Sequence, residues 1–522
     1  MKLLFTKKNK LILFLLVLVY LINGICSINA ISVTFDEGAH FSYGIRILKG
    51  QPARVNQEND NSKMPISALN ALPRAVEQVF SKNLVKEDGG VSDITKGRYL
   101  TLLFSVLIIL LVFMWSRDLY GNNAGLFSAF LFVCCPNNIA NAILVTTDTY
   151  SVFCLLATMY FLWRFCNSKS LKDFIFFAAF LGFSQIVKQS LFHLYVLAPV
   201  CIVIFAVVRR EKVKLKKLLL NFCIAAFISL FIINAGFLFY DLFVPLGNYH
   251  FKSNLFSKVQ QAFPAGLPMP FSRAFVEGLD LAKFYDDLGG GYANSSMSNV
   301  TMLGLSFTGT GVWYYYFVSI FFKTPISYLI LLAWAAGIAI KKINFRLFIK
   351  NEFFLIAPII YFLILLSFFY KSQSGIRHII FIYPLIFIFC GIIFKYAKGK
   401  KDKLLLLILS LLLVMSVGQY FNNYYPYTNE FIGHKKNAYR YVGACNINLG
   451  QAGYFINDYL KEHPDVKYAP EKPAAGKFIL NVDNYLDTWN TGKYEWIRKL
   501  KPVAEVHYSY LLFDVQAKDI KP

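Results

Sequence analysis

Leu11-Ile12-Leu13-Phe14-Leu15-Leu16-Val17-Leu18-Val19-Tyr20-Leu21-Ile22-Asn23-Gly24-Ile25 follows a start bearing Lys2, Lys7, Lys8 and Lys10. It leads into Phe35-Asp36-Glu37-Gly38-Ala39-His40-Phe41-Ser42-Tyr43-Gly44. With its flanks, the apolar run reaches the roughly 20 residues needed to cross a bilayer. Lysines ahead of a first span mark its cytoplasmic end. The pair Asp36-Glu37 then emerges just outside the opposite face. A cleaved signal peptide ending near Asn29-Ala30 is the alternative, for which Ile28 is a poor fit to the small-x-small site. Either way Asp36 lies outside.

The same pattern recurs along the chain. Apolar runs occupy about 99–115, 124–142, 149–165, 172–188, 191–208, 218–240, 323–340, 353–370, 377–396 and 403–419. With the first run, about eleven spans are expected. Basic residues sort by connector. Arg164, Lys169 and Lys172 fall in one, and Arg209, Arg210, Lys212, Lys214, Lys216 and Lys217 in another. Lys341, Lys342, Arg346 and Lys350 mark a third, and Lys395, Lys398, Lys400, Lys401 and Lys403 a fourth. The connectors 143–148 and 189–190 hold no Lys or Arg. This alternation predicts the N-terminus inside and the C-terminus outside.

The expected fold is therefore mainly α, a polytopic helical membrane domain over residues 1–419. It carries external loops at about 31–98 and 241–322. Residues 420–522 form a small extracytoplasmic α/β domain, with strand-like runs at 477–482 and 503–515 and a helical one at 494–500. Gly289-Gly290-Gly291 sits in the second loop, and Trp313-Tyr314-Tyr315-Tyr316-Phe317 predicts a helix lying in the interface before the next span.

Composition agrees. Of 522 residues 56% are hydrophobic and only 16% charged, with a mean hydropathy of +0.48, whereas soluble domains run near ~25% charged. The net charge of +23 does not signal nucleic acid, because the cations lie in short segments between apolar runs. The nine cysteines show no metal-ligand spacing. Most, including Cys134-Cys135, sit in apolar runs as small hydrophobes, and only Cys26 and Cys445 lie towards the outside.

Topology gathers ionisable groups on the outer face. Asp36, Glu37 and His40 follow the first span, and Lys63 lies in Asn61-Ser62-Lys63-Met64-Pro65. Asp148 opens the fourth span, Lys188 closes the fifth, and Arg377 and His378 open the tenth. Ionisable groups at span ends are functional candidates. Each also has a plainer reading. Lys188 can snorkel, Asp148 can cap its helix, Arg377 can meet a headgroup, and the histidines can be buried polar groups. Carboxylates beside cations at a lipid surface suit transfer from a phosphate-linked lipid. A carboxylate takes the acceptor's proton, and Lys, Arg or a divalent metal balances the leaving phosphate. No P-loop, dinucleotide fingerprint or Ser-His-Asp spacing is present, so no nucleotide cofactor is expected.

Taken in order, these landmarks resemble the GT-C superfamily of polyprenyl-phosphate-dependent glycosyltransferases. The likeness is to bacterial relatives of protein O-mannosyltransferases and of the aminoarabinose transferase that modifies lipid A. Asp36-Glu37 is similar to the family's acidic motif in its first external loop. Lys63-Met64-Pro65 is similar to a Lys-Pro or His-Pro element, Thr147-Asp148 to a Thr-Asp or Ser-Asp pair, and Lys188 to a basic residue ending a span. Phe322-Lys323-Thr324-Pro325, Gly375-Ile376-Arg377-His378 and Tyr427-Thr428-Asn429-Glu430-Phe431-Ile432-Gly433 resemble further landmarks.

The resemblance implies an inverting glycosyltransferase of the cell (inner) membrane, active on its extracytoplasmic face. It implies a polyprenyl-phosphate sugar donor and a protein, lipid A, glycolipid or wall polymer as acceptor. Asp36 is the implied base, with Glu37 its catalytic neighbour, and Lys63, Lys188, Arg377 and His378 hold the donor phosphate. Asp148 and His40 are candidates for a metal or the acceptor, and a divalent metal ion stays open as a cofactor. One departure stands out. Where many relatives read Asp-Ser-Asn-x-Asp-Trp-Gly-Gln, this chain has Ala444-Cys445-Asn446-Ile447-Asn448-Leu449-Gly450-Gln451. The competing readings are a transporter or flippase of lipid-linked sugars and a membrane scaffold. A transporter places its charges near the bilayer midplane and shows inverted repeats.

Overall fold

A computed structural model of the chain describes residues 7–55, 60–81, 90–210, 215–289 and 298–520. Lys2, Lys212, Lys214, Gly290 and Gly291 lie outside them. The first apolar run forms the helix Lys7–Ala30 with a mean hydropathy of 2.7. Its 24 residues measure roughly 36 Å at the helical rise, enough for the hydrocarbon core. A backbone in lipid must satisfy its own polar groups, which makes each apolar run a helix. Among the described residues five helices are long and apolar enough to cross, or up to seven if each bent pair counts as one span. The other expected spans correspond to shorter or more polar helices such as Leu171–Gln185, Phe353–Phe368 and Lys400–Gly418.

The two bent pairs have a shared cause. Asn122–Val133 and Pro136–Ala142 meet at 66°, and Tyr315–Lys323 and Ile326–Lys342 at 110°. Each break falls at a proline, Pro136 or Pro325. The residue before it, Cys135 (φ −86°, ψ 114°) or Thr324 (φ −104°, ψ 129°), is extended, as a following pyrrolidine ring demands. The freed polar groups are bonded by side chains rather than left to lipid. Asn137 donates to the Lys323 carbonyl at 2.8 Å. The Lys323 ammonium, 1% exposed, donates to the carbonyls of Tyr425 and Asn446 at 2.6 Å. The sharp bend turns Tyr315–Lys323 away from the following span, with Trp313 and Phe317 exposed beside it.

Among the described residues there are six short strands. β1 (Asn299–Met302) and β2 (Leu305–Thr308) form a hairpin. β3 (Val466–Tyr468), β4 (Gly476–Asn481), β5 (Ala504–Val506) and β6 (Tyr510–Val515) form a sheet in the order β3-β4-β6-β5, with β3 parallel to β4 and the other pairs antiparallel. Alternation along β4 sends Phe478 and Leu480 to one core with Ile497, Leu511 and Phe513. Ile479 goes to the other face, against Ile456 of the helix Gly453–Glu462. A sheet buried on both faces fits a two-sided α/β arrangement.

This region is fastened to the loop that carries the acidic pair. Ser32 and Phe35 donate their amides to the carbonyls of Gln451 and Leu449 at 3.1 and 3.0 Å, and Ser32 Oγ donates to the Gly450 carbonyl at 2.7 Å. The segment that departs from the family pattern therefore pins the Asp36 loop through its backbone. None of the nine cysteines, all of which lie among the described residues, is in a disulfide.

Candidate active site

Asp36 is the N-cap of the helix Glu37–Leu48, yet its side chain makes no capping bond. It is ion-paired instead with Arg377, 341 residues away. The Asp36 side chain keeps 31% of its surface open, against 14% for Arg377. Burial opposes its ionisation, but Arg377 and then Lys63 outweigh it and hold the carboxyl well below the usual carboxylate range. His40 sits one turn further on, its amide donating to the Asp36 carbonyl at 3.2 Å, so both side chains share a helix face. Burial, and the ammonium of Lys63, push His40 well below the ordinary histidine range, which keeps it neutral.

Lys63 is 6% exposed and donates to Ser62 Oγ at 3.2 Å. Burial pulls its pKa down, and Asp36 partly restores it. Its loop is held from inside by Arg54, which donates to the carbonyls of Lys63 at 3.1 Å and Ala274 at 2.8 Å. Asp148 opens the helix Asp148–Ser168 and pairs with Lys188 at 2.6 Å, its second oxygen accepting from Thr146 Oγ1 at 3.3 Å. Arg377 and His378 lie within electrostatic reach of Asp148. Asp36, His40, Lys63, Asp148, Lys188, Arg377 and His378 thus form one cluster drawn from five separate stretches of chain.

Glu37, the neighbour expected to hold the loop, the acceptor or a cation, is fully buried. Its two oxygens accept from Arg98 Nε and Nη2 at 2.8 and 2.6 Å, the Val145 amide at 2.9 Å, and Thr34 N and Oγ1 at 2.8 and 3.0 Å. No face remains for a substrate. Arg98 also donates to the carbonyls of Ile31 and Ser32 at 3.2 and 2.8 Å, so the pair ties the end of the first span to the acidic loop.

Sequence reasoning missed several supporting residues. Arg98 stood at the mouth of an apolar run, where a charge is itself a signal. Arg377 is presented on the turn Ile376–His378, entered through Gly375 at φ +76°. A Cβ there would stand 2.5 Å from the Cys445 carbonyl oxygen, so only glycine fits. The amides of Gly375 and Ile376 donate to Tyr315 Oη and Asn446 Oδ1, each at 2.8 Å. Tyr425, which donates to the Cys445 carbonyl at 2.9 Å, lies in electrostatic range of Arg377, Asp36 and Asp148. Asn446 lies in the segment 444–451 singled out above, and no sequence signal marked Tyr425.

A divalent metal was left open above. Among the described residues no group of three or more His, Cys, Asp or Glu side chains is placed to hold one. Asp36 and Asp148 each face a cation, Arg377 and Lys188 respectively.

Sequence comparison finds a likeness over part of the chain. Residues 89–235 match the family described as dolichyl-phosphate-mannose-protein mannosyltransferase, to which the chain is similar over that stretch. The match contains Arg98, Asp148 and Lys188 but not Asp36, Lys63 or Arg377. No curated protein matches. Among solved structures the chain is similar to ArnT from Cupriavidus metallidurans in the apo state, at 12% identity over 76% of this chain and 61% of that one, with a TM-score of 0.48. It is also similar to ArnT from the same organism bound to undecaprenyl phosphate, at 11% identity over 98% and 99%, with a TM-score of 0.49.

Proposed function

We propose that the chain is an inverting glycosyltransferase of the cell membrane. It moves a sugar from a polyprenyl-phosphate carrier to an acceptor on the extracytoplasmic face. The observation that carries this reading is the cluster itself, with a partly open carboxylate, Asp36, among Arg377, Lys63 and the Asp148–Lys188 pair. Three cationic side chains against two carboxylates leave one positive charge over, and a polyprenyl phosphosugar is a phosphodiester bearing one negative charge. In the reaction the acceptor oxygen attacks the anomeric carbon as the bond from that carbon to the phosphate oxygen breaks. The bonding pair leaves with the phosphate, and Asp36 takes the acceptor's proton. Glycoside and polyprenyl phosphate result, with the anomeric centre inverted and no covalent sugar–enzyme intermediate.

Charges at helix ends argue for an enzyme over a transporter. Asp148 stands in the first turn of its helix and Arg377 on a turn before one, whereas a transporter gathers such groups near the midplane.

Mass spectrometry of surface glycans, glycolipids and glycoproteins tests the reading, and names sugar and acceptor together. Cells lacking the protein lose one defined glycoform, which returns with the parental gene. An unchanged profile rules the enzyme reading out. Arg377→Ala and Lys188→Ala each raise the donor KM more than the acceptor KM, because a charged contact to phosphate is stronger than a neutral one. Lys at 377 restores donor use only in part, since an ammonium lacks the guanidinium fork. Donor KM unchanged in Arg377→Ala removes this assignment.

A further inference from the structure

Two demands on Asp36 conflict in the ground state. A base needs a carboxylate able to accept a proton, and pairing with a guanidinium makes a carboxylate a poorer base. Arg377 in turn is wanted by the donor phosphate. Asp36 is the more exposed member of its pair with Arg377. Arg377, Lys63 and His40 lie in electrostatic reach of Asp36, and so do Tyr425, His378 and Cys445. His40 brings no positive charge, and Lys63 is already turned to Ser62.

The backbone around Arg377 is fastened, while the end of its side chain is held by Asp36 and by one long bond to its own turn. Gly375 and Ile376 are anchored on Tyr315 and Asn446. Arg377 Nε donates to the Ser374 carbonyl at 3.3 Å, and Nη1 serves Asp36.

We propose that Arg377 is exchanged between Asp36 and the donor phosphate in every cycle, so that donor binding itself switches on the base. This rests on the donor reading given above. In the resting enzyme Arg377 holds Asp36 ionised and weakly basic. The arriving phosphodiester takes Arg377, and Asp36, now beside an anion and without its cation, becomes a stronger base as the sugar arrives. After transfer Asp36 carries the acceptor's proton and does not compete, so the polyprenyl phosphate stays on Arg377. Passing that proton to water at its open face lets the carboxylate reclaim Arg377 and release the spent carrier.

The exchange makes a prediction that a simple base does not. Asp36→Asn mimics the protonated, non-competing state. In the purified full chain it binds undecaprenyl phosphate about tenfold more tightly than the parent, the factor for one charged contact regained. In an Arg377→Gln background the same change gives no gain, because nothing is left to compete for. A double-mutant cycle read by equilibrium binding separates the two. Unchanged or weaker binding by Asp36→Asn means that Arg377 serves both anions at once, and overturns the exchange. A gain that persists in the Arg377→Gln background assigns it to the general field of the site, and overturns it as well. A parental protein that does not bind undecaprenyl phosphate would instead sink the donor reading on which the proposal rests.

Discussion

Asp36→Asn lowers sugar transfer by about 10²–10⁴ while the protein still inserts and folds. The amide keeps the shape of the carboxylate and loses only the ability to take a proton, and removal of a general base costs about that factor. Folding survives because the Asp36 side chain does not cap its helix and stays partly open. Arg377 retains an oxygen to face. Asp36→Glu keeps a small fraction of activity, because one more methylene moves the base relative to the anomeric carbon. The measurement is single-turnover transfer by purified protein with saturating donor, together with the anomeric configuration of the product. Parental rates from Asp36→Asn, or a product that retains the donor's configuration, would remove the proposed mechanism.

Arg98→Leu is the opposite case, a stability defect away from the reacting atoms. Glu37 is fully buried and Arg98 is 1% exposed, so truncating one partner strands a charge where water does not reach. Breaking a buried pair from one side costs about 3–5 kcal/mol. Arg98→Leu therefore unfolds earlier on heating in detergent, and activity is lost with the fold. The double variant Arg98→Leu/Glu37→Gln recovers much of the loss. It removes the stranded charge and keeps an acceptor for the Val145 or Thr34 amide. A single variant as stable as the parent would show that Glu37 does not hold this loop, and would return it to the list of reacting groups. The two neighbouring acids thus separate experimentally, Asp36 by rate and Glu37 by stability.

Much of the helical part was legible because lipid leaves a chain little choice. An uninterrupted apolar run must close its own hydrogen bonds, so the runs beginning near Leu11, 99 and 149 appear as helices beginning at Lys7, Val91 and Asp148. The strand-like runs near the C-terminus could be read the same way, by alternation, and they appear as β4, β5 and β6. The two sharp bends were not anticipated, although Pro136 and Pro325 carry their cause. Pro136 lay inside what read as one apolar run and Pro325 near the start of another, and apolarity alone masks a break. β3 and the helix Gly453–Glu462 went unread because they are short and gain their place by packing on β4.

By itself the sequence determined that this is a helical membrane protein with acids and bases at one set of span ends, because apolarity and charge are local properties. Only the tertiary structure decided which of them meet. Adjacent residues on a helix point about 100° apart, and that difference sends Glu37 inward to Arg98 and leaves Asp36 facing the cluster. The partners of Asp36 and Asp148 lie 341 and 40 residues away. No local pattern encodes such a pairing, which comes from long-range packing of the helices and from the turn that Gly375, Tyr315 and Asn446 hold in place.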